Sequence, residues 1–219
     1  MSKIKHLLFD CDGVLVDTEY IAAIKMTQAL NNLGVDISVD YYLQNLSGTT
    51  FSSIVHRYFK NSLSSSEVLR IINKVEDEVA AEVELIDGVN ELLTSLPMSK
   101  SVVSNSSIRT VEHALTVTGI RKHFLPKIFS SELVKEPKPA PDIYRLAIDS
   151  LGYSASEIMV VEDSLSGAKA AISAGLTVVG FVGASHIQSG HRQKLMDLGV
   201  SQLAERMIDL RTIFDNSGS

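Results

Sequence analysis

The apolar run Ile4 to Phe9, interrupted only by Lys5 and His6, stops abruptly at Asp10-Cys11-Asp12-Gly13. A run of that length and content reads as a buried strand. Two carboxylates leaving its C-terminal end one residue apart are poor core material, and the glycine after them lets the backbone turn sharply. Parallel α/β sheets bind ligands outside the carboxyl ends of their strands. The chain is therefore expected to hold a cation beside a reactive oxygen at that point. Cys11 falls on the opposite face of the strand from Asp10 and reads as a small buried hydrophobe.

The stretch after the acidic pair sets the organisation. Residues 19 to 86 contain no convincing strand; apolar spacing predicts helices over 21–33, 41–46, 51–59 and 67–83, with Asp17 or Thr18 as first N-cap and Gly34 as stop. From Asp87-Gly88 onward strand and helix alternate: helix 89–96, strand 101–104, helix 108–118, strand 127–130, helix 140–151, strand 158–162, helix 165–174 and strand 177–181. Such alternation means βα units and a parallel sheet covered on both faces. The expected fold is α/β, a three-layer Rossmann-like core over residues 1–17 and 88–219 with an inserted α-helical cap domain over 18–87. Residues 216–219 are expected to fray. A chain of 219 residues, 45% of them hydrophobic, is long enough to bury such a core and a smaller second unit.

Polar residues gather where the apolar runs stop: Asp10 and Asp12, then Ser104 and Asn105, then Glu162 and Asp163. The proline-rich stretch Lys135-Glu136-Pro137-Lys138-Pro139-Ala140-Pro141-Asp142 adds a lysine. Four carboxylates do not crowd together ionised without a cation, and Mg²⁺ suits an oxygen-only ligand set. A phosphate fits the remaining space, bridged to the metal and held by Ser104, by backbone N–H groups near Asn105 and Ser106, and by Lys138. Phosphoryl transfer needs an in-line nucleophile and a group that protonates the leaving oxygen. Asp10 and Asp12 are candidates to divide those roles.

These motifs, in this order over nearly the whole chain, resemble the haloacid dehalogenase (HAD) superfamily phosphatases. The branch is the one with a helical cap inserted after the first strand, the sugar-phosphatase and beta-phosphoglucomutase-like branch. The resemblance implies that Asp10 attacks phosphorus to form an aspartyl-phosphate, and that Asp12 protonates the leaving alkoxide and then activates water. It implies Mg²⁺ on a carboxylate oxygen of Asp10, the backbone carbonyl of Asp12 and Asp163, with Glu162 as direct or water-mediated ligand, and Ser104 and Lys138 on the phosphoryl oxygens. Dehalogenases and phosphonatases of the superfamily lack an acid at the position of Asp12, whereas a phosphate ester's alkoxide requires one. Sugar phosphomutases of this fold usually carry a histidine where this chain has Tyr20-Ile21-Ala22-Ala23, a departure that favours hydrolysis. The expected function is a Mg²⁺-dependent phosphoric monoester hydrolase acting on a small sugar or sugar-acid phosphate, with the cap closing over the site. Alternatives are a sugar phosphomutase and a non-catalytic phosphometabolite-binding protein.

Blander roles compete at several positions. Ser104-Asn105 and Glu162-Asp163 suit helix N-caps, and Lys138 suits a solvated loop. His186 and His191 sit five residues apart in a glycine-containing loop, a weak signal for a second metal and as good a signal for a loop bordering the active-site mouth. In the cap, Gly48 and Thr49 of Ser47-Gly48-Thr49-Thr50 are candidate substrate contacts, with a plain helix N-cap as the competing reading. Arg57, Lys60, Arg70 and Lys74 read as solvated helix faces. The formal charge of −6 and the lack of any Lys/Arg run argue against nucleic acid and anionic membranes. No apolar segment reaches the roughly 18 residues of a spanning helix. Cys11 is the single cysteine, so an internal disulfide is impossible. A strand so near the first residue leaves no room for a signal peptide. A cytoplasmic monomer whose partner is a small phosphorylated metabolite is expected.

Overall fold

The structure, a computed structural model, describes residues 3–46, 51–59, 63–124 and 127–217. Six parallel strands make one sheet among them: β1 (His6–Phe9), β2 (Ser99–Ser104), β3 (Ile128–Ser130), β4 (Ile158–Glu162), β5 (Thr177–Phe181) and β6 (Gln202–Ala204), in the spatial order β3-β2-β1-β4-β5-β6. The first strand is thus central. Phe9 pairs with Val102 on one side and Val161 on the other. Every residue of β1 and β4 is buried, as continuous apolar runs in a two-sided parallel sheet require.

Alternation along β1 separates the two covering layers. Leu8 belongs to a cluster with Val103, Val160 and Val178 that packs on Ile143 and Tyr144 of α7 (Asp142–Leu151), Ala168 and Ala171 of α8 (Leu165–Ser173) and Leu195 of α9 (His191–Asp197). Phe9 meets Phe124 and, on α10 (Met207–Ser217), Phe214, both edge-on at 6.1 and 6.4 Å. Helices on both faces of a parallel sheet give the expected Rossmann-like α/β architecture.

Two compact units divide the chain, residues 1–17 with 84–219 and residues 18–83. The second boundary falls four residues before the one expected from the Asp87-Gly88 pair. Backbone bonding explains the shift: Asp17 N donates to Glu84 O, Ile86 N donates to Leu15 O, and Val16 bridges Leu85. Residues 84–86 therefore belong with the sheet-bearing unit.

The inserted unit is helical: α1 (Thr18–Asn32), α2 (Val39–Asn45), α3 (Phe51–Phe59) and α4 (Ser65–Ala81). Gly34 takes the left-handed conformation just past α1, with φ of 89°. Ser38 caps α2, and Ser64 with Glu67 forms a capping box on α4. These caps start both helices two residues before the apolar pattern does. Ala23, Leu30, Tyr42, Leu46, Ile54 and Val55 form this unit's own core.

In the first unit α5 (Val89–Ser95) and α6 (Ile108–Val117) match the expected spans closely. Strand β2 begins at Ser99, two residues early, because Lys100 is tolerated inside it: its ammonium donates to Leu96 O and Met98 O at 2.9 and 2.8 Å. Elements α9, β6 and α10 lie beyond the last expected strand. Helix α10 runs through Asn216 and Ser217, which corrects the expectation of a frayed end from residue 216; 218 and 219 lie outside the described residues. No helix among the described residues is long and apolar enough to cross a membrane.

Candidate active site

Because β1, β2 and β4 are parallel neighbours, their C-terminal ends share one edge, and the polar residues that stop each apolar run meet there. The ladder extends one residue past β1, where Asp10 N donates to Val161 O at 3.0 Å. The chain then folds into a tight loop: Gly13 N donates to Val16 O, while Leu15 N and Val16 N both donate to Cys11 O. Gly13 has a φ of 79°, and an added Cβ would lie 2.0 Å from Asp163 Oδ2. No side chain fits there. Cys11 is buried, and burial pushes its thiol well above the usual range, which removes it as a nucleophile.

Lys138 reaches into the edge from the loop before α7. Its buried ammonium donates to Asp10 Oδ1 at 2.6 Å, Glu162 Oε1 at 2.7 Å and Val103 O at 2.9 Å. Asn105 fixes this segment, since its side chain accepts from Lys138 N and donates to Lys138 O at 3.0 and 3.1 Å. Burial by itself would pull the Lys138 ammonium down, but Asp10 and Glu162 outweigh it and hold the group well above its ordinary value. For Asp10 the largest influence is burial, which raises its pKa; Lys138 opposes this, and Glu162, Asp163 and Asp12 add to it. Asp12 sits differently: its Oδ2 accepts from Ser106 Oγ at 2.8 Å. Ser104 is buried, and its Oγ accepts from Ser106 N at 3.0 Å.

Asp10, Glu162 and Asp163 bring ligand oxygens within 4.8 Å of one another, all three buried. Three carboxylates face one ammonium, and the donors are all oxygen. That excess of negative charge in a dry site fits a hard divalent cation. Within the set Glu162 is the most fully engaged. Oε1 accepts from Lys138 and, at 3.3 Å, from the Tyr144 hydroxyl, while Oε2 accepts from both N and Oγ of Ser164, the N-cap of α8. The carboxylate lies so close to α8 that a Cβ on Gly167 would come within 1.5 Å of Oε1. Gly167 is therefore a space for Glu162 rather than a weak point in the helix. A water-mediated role at the cation suits Glu162 better than direct ligation, because both oxygens already accept hydrogen bonds.

The structure thus brings together Asp10, Asp12, Ser104, Asn105, Ser106, Lys138, Glu162 and Asp163. Gly48 and Thr49 lie outside the described residues. His186 and His191 converge on Asp163: His186 Nε2 lies 3.0 Å from Oδ2, and His191 Nε2 lies 2.6 Å from the backbone oxygen. Sequence reasoning singled out this histidine pair without finding its partner. It missed the link from Ser106 to Asp12 and the roles of Tyr144 and Gly167 altogether. The only sequence signal for Gly167 was its position one turn into a helix that starts just after Glu162.

A model of the haloacid dehalogenase-like hydrolase family matches residues 7–181. The 6-phosphogluconate phosphatase of Escherichia coli (strain K12) is 26% identical over 192 residues, covering 85% of this chain and 86% of that protein. Hexitol phosphatase B of the same organism is 28% identical over 206 residues, covering 90% and 92% respectively. Among solved structures, a conserved haloacid dehalogenase-like protein of unknown function from Agrobacterium tumefaciens superposes with a TM-score of 0.86 at 34% identity, over 99% of this chain and 100% of that one.

Proposed function

The chain belongs to the haloacid dehalogenase-like hydrolases, and from that premise we propose that it is a Mg²⁺-dependent phosphatase of small phosphomonoesters, working through an aspartyl-phosphate on Asp10. The observation that carries this reading is the different setting of its two aspartates. Asp10 is buried against the Lys138 ammonium at 2.6 Å, whereas Asp12 accepts from the hydroxyl of Ser106. Two carboxyls held in unlike environments suit a nucleophile and an acid/base group.

In the first half-reaction a carboxylate oxygen of Asp10 bonds to phosphorus as the ester P–O bond breaks, and Asp12 gives its proton to the departing alkoxide. In the second, Asp12 takes a proton from water, whose oxygen bonds to phosphorus as the Asp10–phosphorus link breaks. Asp10, the Asp12 carbonyl and Asp163 would hold the Mg²⁺, which would supply charge neutralisation at the phosphoryl oxygens. Lys138 stabilises the same oxygens, while Asn105 holds the lysine's backbone. Ser104 is the hydroxyl assigned to the phosphoryl group, with backbone N–H groups near Asn105 and Ser106. The relatives named for 6-phosphogluconate and hexitol phosphates support a sugar, polyol or sugar-acid phosphate as substrate. We place the activity in the cytoplasm, where a chain with the single thiol Cys11 needs no disulfide partner.

The test is a phosphate-release screen over such esters with Mg²⁺ present. Asp10→Asn should lower release by at least ~10³-fold while circular dichroism remains native. Chelation should silence the wild-type protein until Mg²⁺ is restored. Undiminished release from Asp10→Asn overturns the mechanism.

A further inference from the structure

Loop residues 183–191 lie outside the four motifs, yet two of their side chains meet Asp163 at the acidic edge of the sheet. His186 Nε2 is 3.0 Å from Asp163 Oδ2, and His191 Nε2 is 2.6 Å from Asp163 O. Ahead of both, the loop carries Ser185, whose Oγ and N donate to the carboxylate of Asp17 at 2.8 and 3.3 Å. A carbonyl oxygen only accepts, so the His191 ring presents an N–H at Nε2. Gly13 packs directly on this arrangement: its added Cβ would lie 2.8 Å from His186 Cε1 as well as 2.0 Å from Asp163 Oδ2.

We propose that His186 and His191 are positioning residues for Asp163, holding its carboxylate and its backbone so that the site binds a divalent cation tightly. The proposal rests on the phosphatase reading above. The acids of the cluster are held in different ways. Asp10 and Glu162 share the Lys138 ammonium, which fixes them and also cancels charge. Asp163 is instead approached from two sides, by His186 at Oδ2 and by His191 at its own carbonyl, and these contacts set its orientation. Partners of this kind behind a ligand typically matter by 10–100-fold in metal affinity. Anchoring on Asp17, in the segment leading out of the catalytic loop, gives the strap a fixed end.

The experiment measures Mn²⁺ binding to the metal-free full chain by electron paramagnetic resonance, alongside Mg²⁺ titration of phosphate release. His186→Ala should raise the Mn²⁺ Kd and the half-saturating Mg²⁺ by ~10–100-fold. His186→Gln places an amide nitrogen the same number of bonds from Cβ as Nε2, and should recover most of that affinity. His191→Ala should weaken binding in the same direction. KM for the ester, measured at saturating Mg²⁺, should move far less than the cation affinity. Wild-type affinity in His186→Ala overturns the proposal, as does an equal loss in the alanine and glutamine variants. Matching thermal unfolding midpoints in the metal-free variants exclude misfolding as the cause. A wild-type protein that binds no Mn²⁺ overturns the phosphatase reading itself, and the inference with it.

Discussion

The two units are built on opposite principles. Among the described residues every buried amine, imidazole or carboxylate lies in the sheet-bearing unit: His6, Asp10, Lys100, Lys138, Glu162 and Asp163. No described side chain of the helical unit is a buried amine, imidazole or carboxylate, residues 51, 52 and 56 being outside that description. Its core is the apolar set around Leu30 and Ile54, and its ion pairs Lys25–Glu82, at 2.6 Å, and Lys74–Glu78, at 3.8 Å, leave both carboxylates partly exposed. The sheet-bearing unit is accordingly held by charges that must be matched, and the helical unit by volumes that must be filled. Conditions that change protonation or ligand occupancy act on the first; changes of side-chain size act on either.

Removing Lys138 breaks the comparison most severely. Lys138→Met leaves Asp10 and Glu162 buried without their ammonium, a loss on the order of 3–5 kcal/mol. For a domain of this size that is a fall of ~10 °C in Tm, measured by thermal unfolding in the presence of chelator. A Tm within a degree of wild type would mean that the pairing contributes little to stability. Leu30→Ala makes the corresponding cut in the helical core. A fully buried leucine replaced by alanine costs about 3 kcal/mol through the lost contacts and the cavity. Mn²⁺ affinity should be unchanged, since the acidic cluster lies wholly in the other unit. Weakened cation binding in that variant would contradict the division.

The smallest effect sharpens the contrast at the N-terminal end of the sheet. His6 is buried against Ser101, and burial, assisted by Lys100, lowers its pKa to about 4 from an ordinary 6.5. The unfolded chain therefore binds the proton first. This contribution to stability is complete above about pH 6.5, falls as the pH drops through that window, and is exhausted near pH 4. By linkage the effect is at most ~3 kcal/mol. Comparing Tm at pH 6.5 and pH 4 for wild type and His6→Asn should give a shallower slope in the variant; equal slopes would remove His6 as the source.

How much of this was legible in the sequence depended on whether a residue's partner was local. The strand ends at Asp10, Ser104 and Glu162 were readable because a buried parallel strand is a continuous apolar run that stops where the sheet stops. The acids could be placed together without coordinates because parallel strands share an edge. Strand β2 began earlier than expected because Lys100 looks polar in sequence, while its ammonium bonds to carbonyls beside the strand. Strand β6 went unread because it is three residues long and its first two are not buried. The histidine strap was illegible for a different reason. A loop imposes no period on its side chains, and nothing near His191 in sequence signals that its ring meets a carbonyl on the far side of α8 and β5. Glu162 and Gly167 show the converse, an apparent helix defect explained only by the carboxylate that fills it.

The central position of β1 also bears on biosynthesis. This strand leaves the ribosome before the other five of its sheet, and its two neighbours begin only at Ser99 and Ile158. The helical unit, complete within residues 18–83, is made entirely in the interval. At ~5–20 residues per second, the nascent chain carries an apolar strand tipped with two carboxylates, and no sheet to receive it, for on the order of ten seconds. Non-local pairing of this kind is slow and exposed to aggregation. The helical insert is therefore the part of the chain able to fold early, while the acidic edge waits for β4.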